Sequence, residues 1–155
     1  MRYLVIGGYA VTVHGYPRYT KDLDVWVGAT TENATRVVQV LRDFDFGFGS
    51  LDLKQSDFTK ADHIVQLGYP PNRIDILTTP VGVDFSTCYT SRKRVRLSGI
   101  LVNFIDLENL KRNKQAAGRT QDKLDLENLE RRGAPRAKKQ SSPTKKKSTI
   151  QNPKS

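Results

Sequence analysis

Residues 7–27 read GGYAVTVHGYPRYTKDLDVWV. Two glycines, Gly7 and Gly8, follow the short apolar run YLVI, and Asp22 and Asp24 stand one residue apart on the next apolar run, DLDVWV. Alternate residues of a strand point to the same face, so the two aspartates would share one face. Carboxylates held together in this way repel each other and are costly to desolvate, so the pattern predicts a cation beside them.

The rest of the body alternates between strand-like and helix-like patterns. Short apolar or alternating runs predict strands, and apolar residues at helical spacing predict helices. The predicted strands are 3–7, 22–27, 63–68, 73–78, 94–99 and 100–105, and the predicted helices are 9–14, 31–44, 106–118 and 119–133. We expect a small α+β or α/β domain in which helices flank a mixed β-sheet.

Composition divides the chain into a domain, residues 1–133, and a basic tail, residues 134–155. The tail has seven Lys or Arg residues, no acidic residue and a single large apolar residue, Ile150. It cannot bury enough apolar surface to offset its ordering entropy, so we expect it to be disordered. Without it, the formal charge of +10 falls to +3, from 19 basic and 16 acidic residues. The tail would act as a solubilising terminus or as a loose attraction for nucleic-acid phosphates.

Other features narrow the class of protein. A single cysteine, Cys88, excludes a disulfide framework and suits a reducing compartment. No apolar run reaches the length of a signal-peptide core or a membrane span, so we expect a cytoplasmic protein without a membrane partner.

A third carboxylate completes a candidate site. Asp75 stands between Ile74 and Ile76 in a predicted strand, so it points away from the face of both isoleucines. If this strand lies beside the strand of Asp22 and Asp24, three hard oxygen donors converge, which suits Mg²⁺. Two such ions can activate a hydroxyl group and neutralise a leaving pyrophosphate. A glycine turn before a helix lets backbone N–H groups approach a phosphate.

The order strand, Gly-Gly, Asp-Leu-Asp-Val, Ile-Asp-Ile resembles the signature of the nucleotidyltransferase superfamily, with its polymerase-beta-like fold. Three segments, YLVIGGYAVTVHGYPRYTKDLDVWV, LGYPPNRIDILT and LENLKRNKQAAGRTQDKLDLENL, resemble the small bacterial nucleotidyltransferases of the AbiEii toxin-like group. The resemblance extends from residue 2 to about residue 129. It implies transfer of a nucleoside monophosphate from an NTP to a hydroxyl acceptor, in a toxin–antitoxin or defence setting.

The resemblance also implies roles for individual residues. Gly7 and Gly8 would cradle the triphosphate. Asp22 and Asp24 would hold two Mg²⁺ ions, and Asp75 would share one of them and act as the base.

Further positions have two interpretations each. Lys114 and Asp122, in the segment KQAAGRTQD, match nucleotide-contacting residues of the family, and the alternative is an exposed helix surface. Lys21, like Arg18, would meet phosphates or lie in a solvated loop.

The acceptor could be tRNA or other RNA, a protein or a small molecule, and the basic tail favours nucleic acid. An antitoxin protein is a further expected partner.

Two departures from the family bear on activity. Relatives carry a helix before the first strand, so we expect a start upstream or a trimmed descendant, and Gly8 replaces a frequent serine. The alternatives are an inactive nucleotide- or RNA-binding module and a metal-dependent phosphohydrolase.

Overall fold

The computed structural model describes residues 1–44 and 52–133, so the predicted tail, 134–155, lies outside the described residues. Six strands form one sheet in the order β3-β4-β2-β1-β6-β5. The strands are β1 (Tyr3–Val5), β2 (Asp22–Val27), β3 (Ile64–Leu67), β4 (Arg73–Leu77), β5 (Lys93–Leu97) and β6 (Ile100–Phe104). The helices are α1 (Gly7–Val13), α2 (Thr31–Asp43), α3 (Phe85–Thr90), α4 (Leu107–Ala117) and α5 (Thr120–Gly133), with a 3₁₀ turn at Gln55–Phe58.

The sheet mixes parallel and antiparallel pairs. Strand β2 runs antiparallel to β1 and parallel to β4, and β1 runs parallel to β6. The β2–β4 register sets Asp24 opposite Asp75 and Asp22 opposite Arg73. The predicted fold class, a mixed sheet with flanking helices, is confirmed.

Two apolar clusters hold the helices against the sheet. Helix α2 contributes Val37, Val38 and Leu41 to one cluster, which includes Val27 of β2 and Ile76 of β4. The other cluster joins residues of β1, α1, α4 and α5 with Trp26, which is 1% exposed. Trp26 shares its strand face with Asp22 and Asp24, so the carboxylates lie on the side of the sheet that α4 and α5 cover.

Local chemistry explains the helix boundaries. The Thr30 hydroxyl accepts the backbone N–H of Asn33 at the start of α2, and the Asp106 carboxylate accepts that of Asn109 at the start of α4. Helix α4 ends at Gly118, whose φ of +64° is a left-handed conformation that glycine adopts at little cost.

The predicted elements agree with the observed ones to within two residues at most ends. Helix α3 was not predicted, because six residues are too few to show a helical period. Its signal was Asp84, whose carboxylate caps the helix by accepting the backbone N–H of Thr87. None of the described helices is long and apolar enough to cross a membrane.

Candidate active site

The three predicted carboxylates come together at the centre of the sheet. Asp22 and Asp24 lie two residues apart on β2, and Asp75 lies directly across from Asp24 on the parallel strand β4. Side chains paired in this way on one face are close neighbours. The strand pairing on which the predicted cluster depended is therefore present.

A cation also lies in this cluster, and it is a residue of the protein. Arg73 precedes Asp75 by two residues, so the two side chains share a face. Its Nη2 donates to Asp22 Oδ2 at 2.7 Å, and its Nε and Nη2 donate to the two oxygens of Asp75 at 2.8 and 2.9 Å. The sequence analysis missed Arg73, although its spacing from Asp75 was a usable signal.

Asp24 differs from its neighbours in having no hydrogen bond or ion pair to its carboxylate from the described residues. Burial and the charge of Asp75 raise the pKa of Asp24 to about 6, with Asp22 adding to the effect and Lys114 and Arg119 opposing it. Asp22 Oδ1 is fully buried and has no hydrogen-bond partner in the described part of the chain. Buried oxygens without donors are costly, so both carboxylates could accept a further cation or donor.

The donor set suits Mg²⁺, because it consists of carboxylate oxygens, and one of them, Asp22 Oδ1, is buried without a partner among the described residues. Yet no group of three His, Cys, Asp or Glu side chains within residues 1–44 and 52–133 is arranged to hold a metal ion as it stands. In this arrangement Arg73 engages one oxygen of Asp22 and both oxygens of Asp75.

The glycine pair fits closely against β2. A Cβ atom on Gly7 would lie 2.0 Å from Asp24 Oδ2, and Gly7 also has a φ of +64°. A Cβ atom on Gly8 would lie 2.6 Å from the Thr20 hydroxyl oxygen. Glycine is required at residue 7 both by conformation and by the close approach of the Asp24 carboxylate.

A second group of charges comes from α4 and α5. Lys114 is 4% exposed, and its Nζ lies 2.8 Å from Asp122 Oδ1 and 2.9 Å from Asp125 Oδ2. Asp122 and Asp125 are themselves 1% and 0% exposed. The alternative of an exposed helix surface for Lys114 and Asp122 was wrong, because the packing of α5 against α4 buries both.

Two arginines complete this charge network. Arg18 holds Asp125 through two hydrogen bonds of 2.7 and 2.9 Å, and Arg119 Nε donates to Asp122 at 2.7 Å. Burial raises the pKa of both carboxyl groups, but hydrogen bonds from Arg119 and Lys114 to Asp122, and from Arg18 and Lys114 to Asp125, lower each pKa below its ordinary value. Both groups are therefore paired anions.

Arg18 was predicted either to meet phosphates or to lie in a solvated loop, and Arg119 and Asp125 were not predicted as site residues. The spacing of Asp122 and Asp125, three residues apart on one helix, was a signal for a shared face. Lys21 is exposed and is not among the residues that line the cavities described next, so its predicted contact with nucleotide stays a prediction.

Two adjoining cavities open at the carboxylates. The polar cavity has a volume of about 260 Å³, and the other, with more apolar walls, has a volume of about 380 Å³. Both are bordered by Gly7, Asp24, Asp75, Lys114 and Arg119. The polar cavity adds Gly8, Arg18, Thr20, Asp22, Arg73, Gln121 and Asp122, and the apolar one adds Ile6, Ile64, Leu77, Pro80, Val81, Asn113 and Ala117.

Other reactive side chains have structural roles. His14 Nε2 lies 2.8 Å from the carbonyl oxygen of Ile105, and burial lowers the pKa of His14. Cys88 is buried, and desolvation raises the pKa of its thiol to about 11. A thiol with so high a pKa is a poor nucleophile.

Comparisons with known proteins give a coarse similarity. No protein-family model and no curated protein matches the chain, and seven chains of known structure do. One is the lincosamide antibiotic adenylyltransferase LnuA in its lincomycin-bound crystal structure, with a TM-score of 0.44 and 15% identity over 83% of this chain and 85% of that one. Another is an antigenic nucleotidyltransferase-like protein from Paracoccidioides brasiliensis, with a TM-score of 0.46 and 17% identity over 82% of this chain and 65% of that one.

The membership of this chain in the nucleotidyltransferase superfamily, and in its AbiEii toxin-like group, stays a prediction. An activity for this chain has to be inferred from its own site.

Proposed function

We propose that this chain is a Mg²⁺-dependent nucleotidyltransferase that moves a nucleoside monophosphate from an NTP to a hydroxyl acceptor and releases pyrophosphate. The observation that carries the proposal is the parallel β2–β4 register, which sets Asp24 beside Asp75. Among the described residues no hydrogen bond reaches the Asp24 carboxylate. Perturbed carboxylates in a cleft are typical of functional sites.

The polar cavity suits a triphosphate once divalent ions are present. Its lining balances four cations, Arg18, Arg73, Lys114 and Arg119, against four carboxylates, Asp22, Asp24, Asp75 and Asp122. Asp22, Asp24 and Asp75 are the residues that would hold Mg²⁺, and the bound ions would supply positive charge for the α-phosphate and the leaving pyrophosphate. Without such ions the balanced charges would give a phosphate chain little net attraction.

The protein's own groups would act as follows. The tight turn at Gly7 brings the backbone beside Asp24. The backbone N–H groups of this turn would therefore lie next to the phosphates of a bound nucleotide. The guanidinium groups of Arg18 and Arg119 are held by buried carboxylates, which orients them in advance for phosphate oxygens. In the reaction, the acceptor oxygen forms a bond to the α-phosphorus while the bond between the α-phosphorus and the pyrophosphate oxygen breaks. Asp75 accepts the proton of the acceptor hydroxyl.

The apolar cavity suits the uncharged parts of a substrate. Ile64 and Val81 border it with more than half of their surface exposed, and it meets the polar cavity at Asp24 and Asp75. A nucleoside or an acceptor group placed there would lie next to the reacting phosphate. We propose RNA as the acceptor, with a protein and a small molecule as the competing classes, and a toxin–antitoxin or defence role with an antitoxin partner.

One observation favours a second candidate, an inactive nucleotide- or RNA-binding module. Arg73 already engages Asp22 and Asp75, and no three acidic or histidine side chains of the described residues are grouped for a metal ion. A chain that kept this arrangement throughout would lack the metal ions that transfer needs, so any nucleotide that it held would not react.

The experiment that separates these candidates uses purified protein, Mg²⁺ and each α-labelled NTP in turn, with total bacterial RNA and cell extract as acceptors. The test variant is Asp22→Asn/Asp24→Asn. The matched control, Glu108→Gln/Glu127→Gln, neutralises two exposed carboxylates elsewhere.

We expect label on RNA with the native protein and the control, and none with the test variant. Label retained by the test variant would refute the proposed catalytic cluster. No label, together with calorimetric binding of NTP, would establish the binding module, and release of free phosphate would indicate a phosphohydrolase.

A further inference from the structure

Arg73 divides the oxygens of the carboxylate cluster into two sets. Its guanidinium bonds Asp22 Oδ2 and both oxygens of Asp75 at 2.7–2.9 Å. Asp22 Oδ1 is buried without a partner among the described residues, and only burial and more distant charges, with no hydrogen bond, act on the Asp24 carboxylate there. A metal ion can therefore reach Asp24 and one oxygen of Asp22 directly, whereas an ion that needs Asp75 has to displace a guanidinium.

We propose that Arg73 is a resident counter-cation that competes with a divalent ion for Asp75 and Asp22. The inference deepens the proposed function and rests on it, because it takes the three carboxylates as the metal-holding group. Before a nucleotide arrives, Arg73 offsets one of the negative charges of the cluster. A metal ion that uses Asp75 binds only when Arg73 has moved away.

Charge balance explains why such a cation is needed. Three carboxylates on two adjacent strands repel one another, and among them Asp75 is only 9% exposed. Arginine suits this place better than lysine, because its planar fork binds Asp75 through two N–H groups while Nη2 also reaches Asp22.

A displaced Arg73 side chain could occupy the adjoining polar cavity. Its side chain is 26% exposed, and it lines the polar cavity together with Arg18 and Arg119. Once displaced, the guanidinium would face the same cavity that we assign to the triphosphate, where phosphate oxygens are alternative acceptors for it. Metal entry and phosphate binding would thereby favour each other.

A purely structural role for Arg73 makes a different prediction. An ion pair that only joined β2 to β4 would affect folding but leave the affinity of Asp24 for metal unchanged. With a competing cation, the apparent metal affinity equals the intrinsic affinity multiplied by the fraction of molecules in which Asp75 and Asp22 are free.

The test measures Mn²⁺ binding to the nucleotide-free protein by the loss of the free-ion electron paramagnetic resonance signal. The proteins are the native chain, Arg73→Gln, Arg73→Lys and a charge-matched control, Arg36→Gln, at an exposed position on α2. Displacing a charged hydrogen bond weakens binding by roughly ten- to hundredfold, so we expect Arg73→Gln to bind Mn²⁺ tighter by about that factor. Arg73→Lys should fall between it and the native protein, and Arg36→Gln should match the native protein.

Thermal unfolding gives a second readout. We expect Arg73→Gln to have a lower melting temperature than the native protein in chelator. Mn²⁺ should raise the melting temperature of the variant more than that of the native protein, because the ion replaces the positive charge of Arg73. If Arg73→Gln does not fold, Arg73→Lys decides the matter, since it keeps the charge but loses the fork.

Equal Mn²⁺ affinity in the native protein and the folded Arg73 variants would overturn the competition and leave the metal site standing. If neither the native protein nor Arg73→Gln binds Mn²⁺, the carboxylates are not a metal site, and the proposed function fails together with this inference.

Discussion

Replacing Lys114 with methionine should destabilise the protein strongly, whatever it does to activity. Lys114 is 4% exposed and is the cation shared by Asp122 and Asp125, at 2.8 and 2.9 Å. Removing one partner of a buried ion pair costs about 3–5 kcal/mol, because the remaining charge is left in a poorly hydrated place. Arg119 still holds Asp122 and Arg18 still holds Asp125, so we expect the low end of that range, about 3 kcal/mol.

The assay is urea unfolding followed by far-ultraviolet circular dichroism at pH 7.5 in chelator. The matched control is Lys111→Met on the same helix, where the lysine forms a surface pair with Glu108 at 3.3 Å. An exposed pair of this kind contributes about 0–1 kcal/mol, so the control should unfold close to the native protein.

The pH dependence of the loss identifies its cause. The pKa values of Asp122 and Asp125 are lowered in the fold, so their ionised forms stabilise the protein above the ordinary value of 3.8, and that contribution disappears as the pH falls through the lowered values. Lys114 supplies part of this stabilisation. The difference between native protein and Lys114→Met should therefore be largest near neutral pH and should narrow below pH 3.8.

Two results would refute this reasoning. A Lys114→Met protein within about 1 kcal/mol of the native protein at pH 7.5 would show that the network is not a buried support. A large loss in the free energy of unfolding that stayed constant below pH 3.8 would show that the packing of methionine, and not the lost charge, causes the effect.

Two further predictions concern β2 and the turn beside it. Asp24→Asn should stabilise the protein in chelator, because the pKa of Asp24 is raised from 3.8 to about 6 in the fold. At about 1.4 kcal/mol per pH unit, the gain in the free energy of unfolding should grow from pH 3.8 to pH 6 and reach about 3 kcal/mol above pH 6. Urea unfolding that showed no gain at pH 8 would contradict this prediction. Gly7→Ala should cost about 1–3 kcal/mol from its positive φ, plus the displacement of Asp24, whose Oδ2 lies 2.0 Å from the added Cβ. The loss should be smaller in an Asp24→Ala background, and equal losses in both backgrounds would rule out the contact.

The sequence was enough to place the carboxylates on strands, because a period of two shows which residues share a face. It could not show that β2 pairs with β4, since non-adjacent strands pair through packing of the whole chain. The condition attached to the prediction, that the strand of Asp75 lies beside that of Asp22 and Asp24, is met by the observed register. Arg73 was within reach of the same reasoning, since it shares a face with Asp75.

The second charge network was beyond a local pattern. Lys114 lies on α4 and its partners lie on α5, so their contact depends on the way the two helices pack after the turn at Gly118. Arg18 joins the network from a loop more than a hundred residues away along the chain. Each residue is ordinary in a polar helix or loop, and only tertiary packing makes them buried partners.

The two groups of aspartates in one cavity differ in what surrounds them, and that difference assigns their roles. Asp122 and Asp125 are fully paired, and their pKa values are lowered, so they belong to the support that orients Lys114, Arg18 and Arg119. Asp24 is unpaired among the described residues, its pKa is raised, and its charge is maintained at a cost to the fold. A fold retains such an unfavourable charge where a ligand compensates for it. This difference supports the proposed cation at Asp24. Lys114, whose contact with nucleotide stays a prediction, would act with one N–H still available beyond its two carboxylate partners.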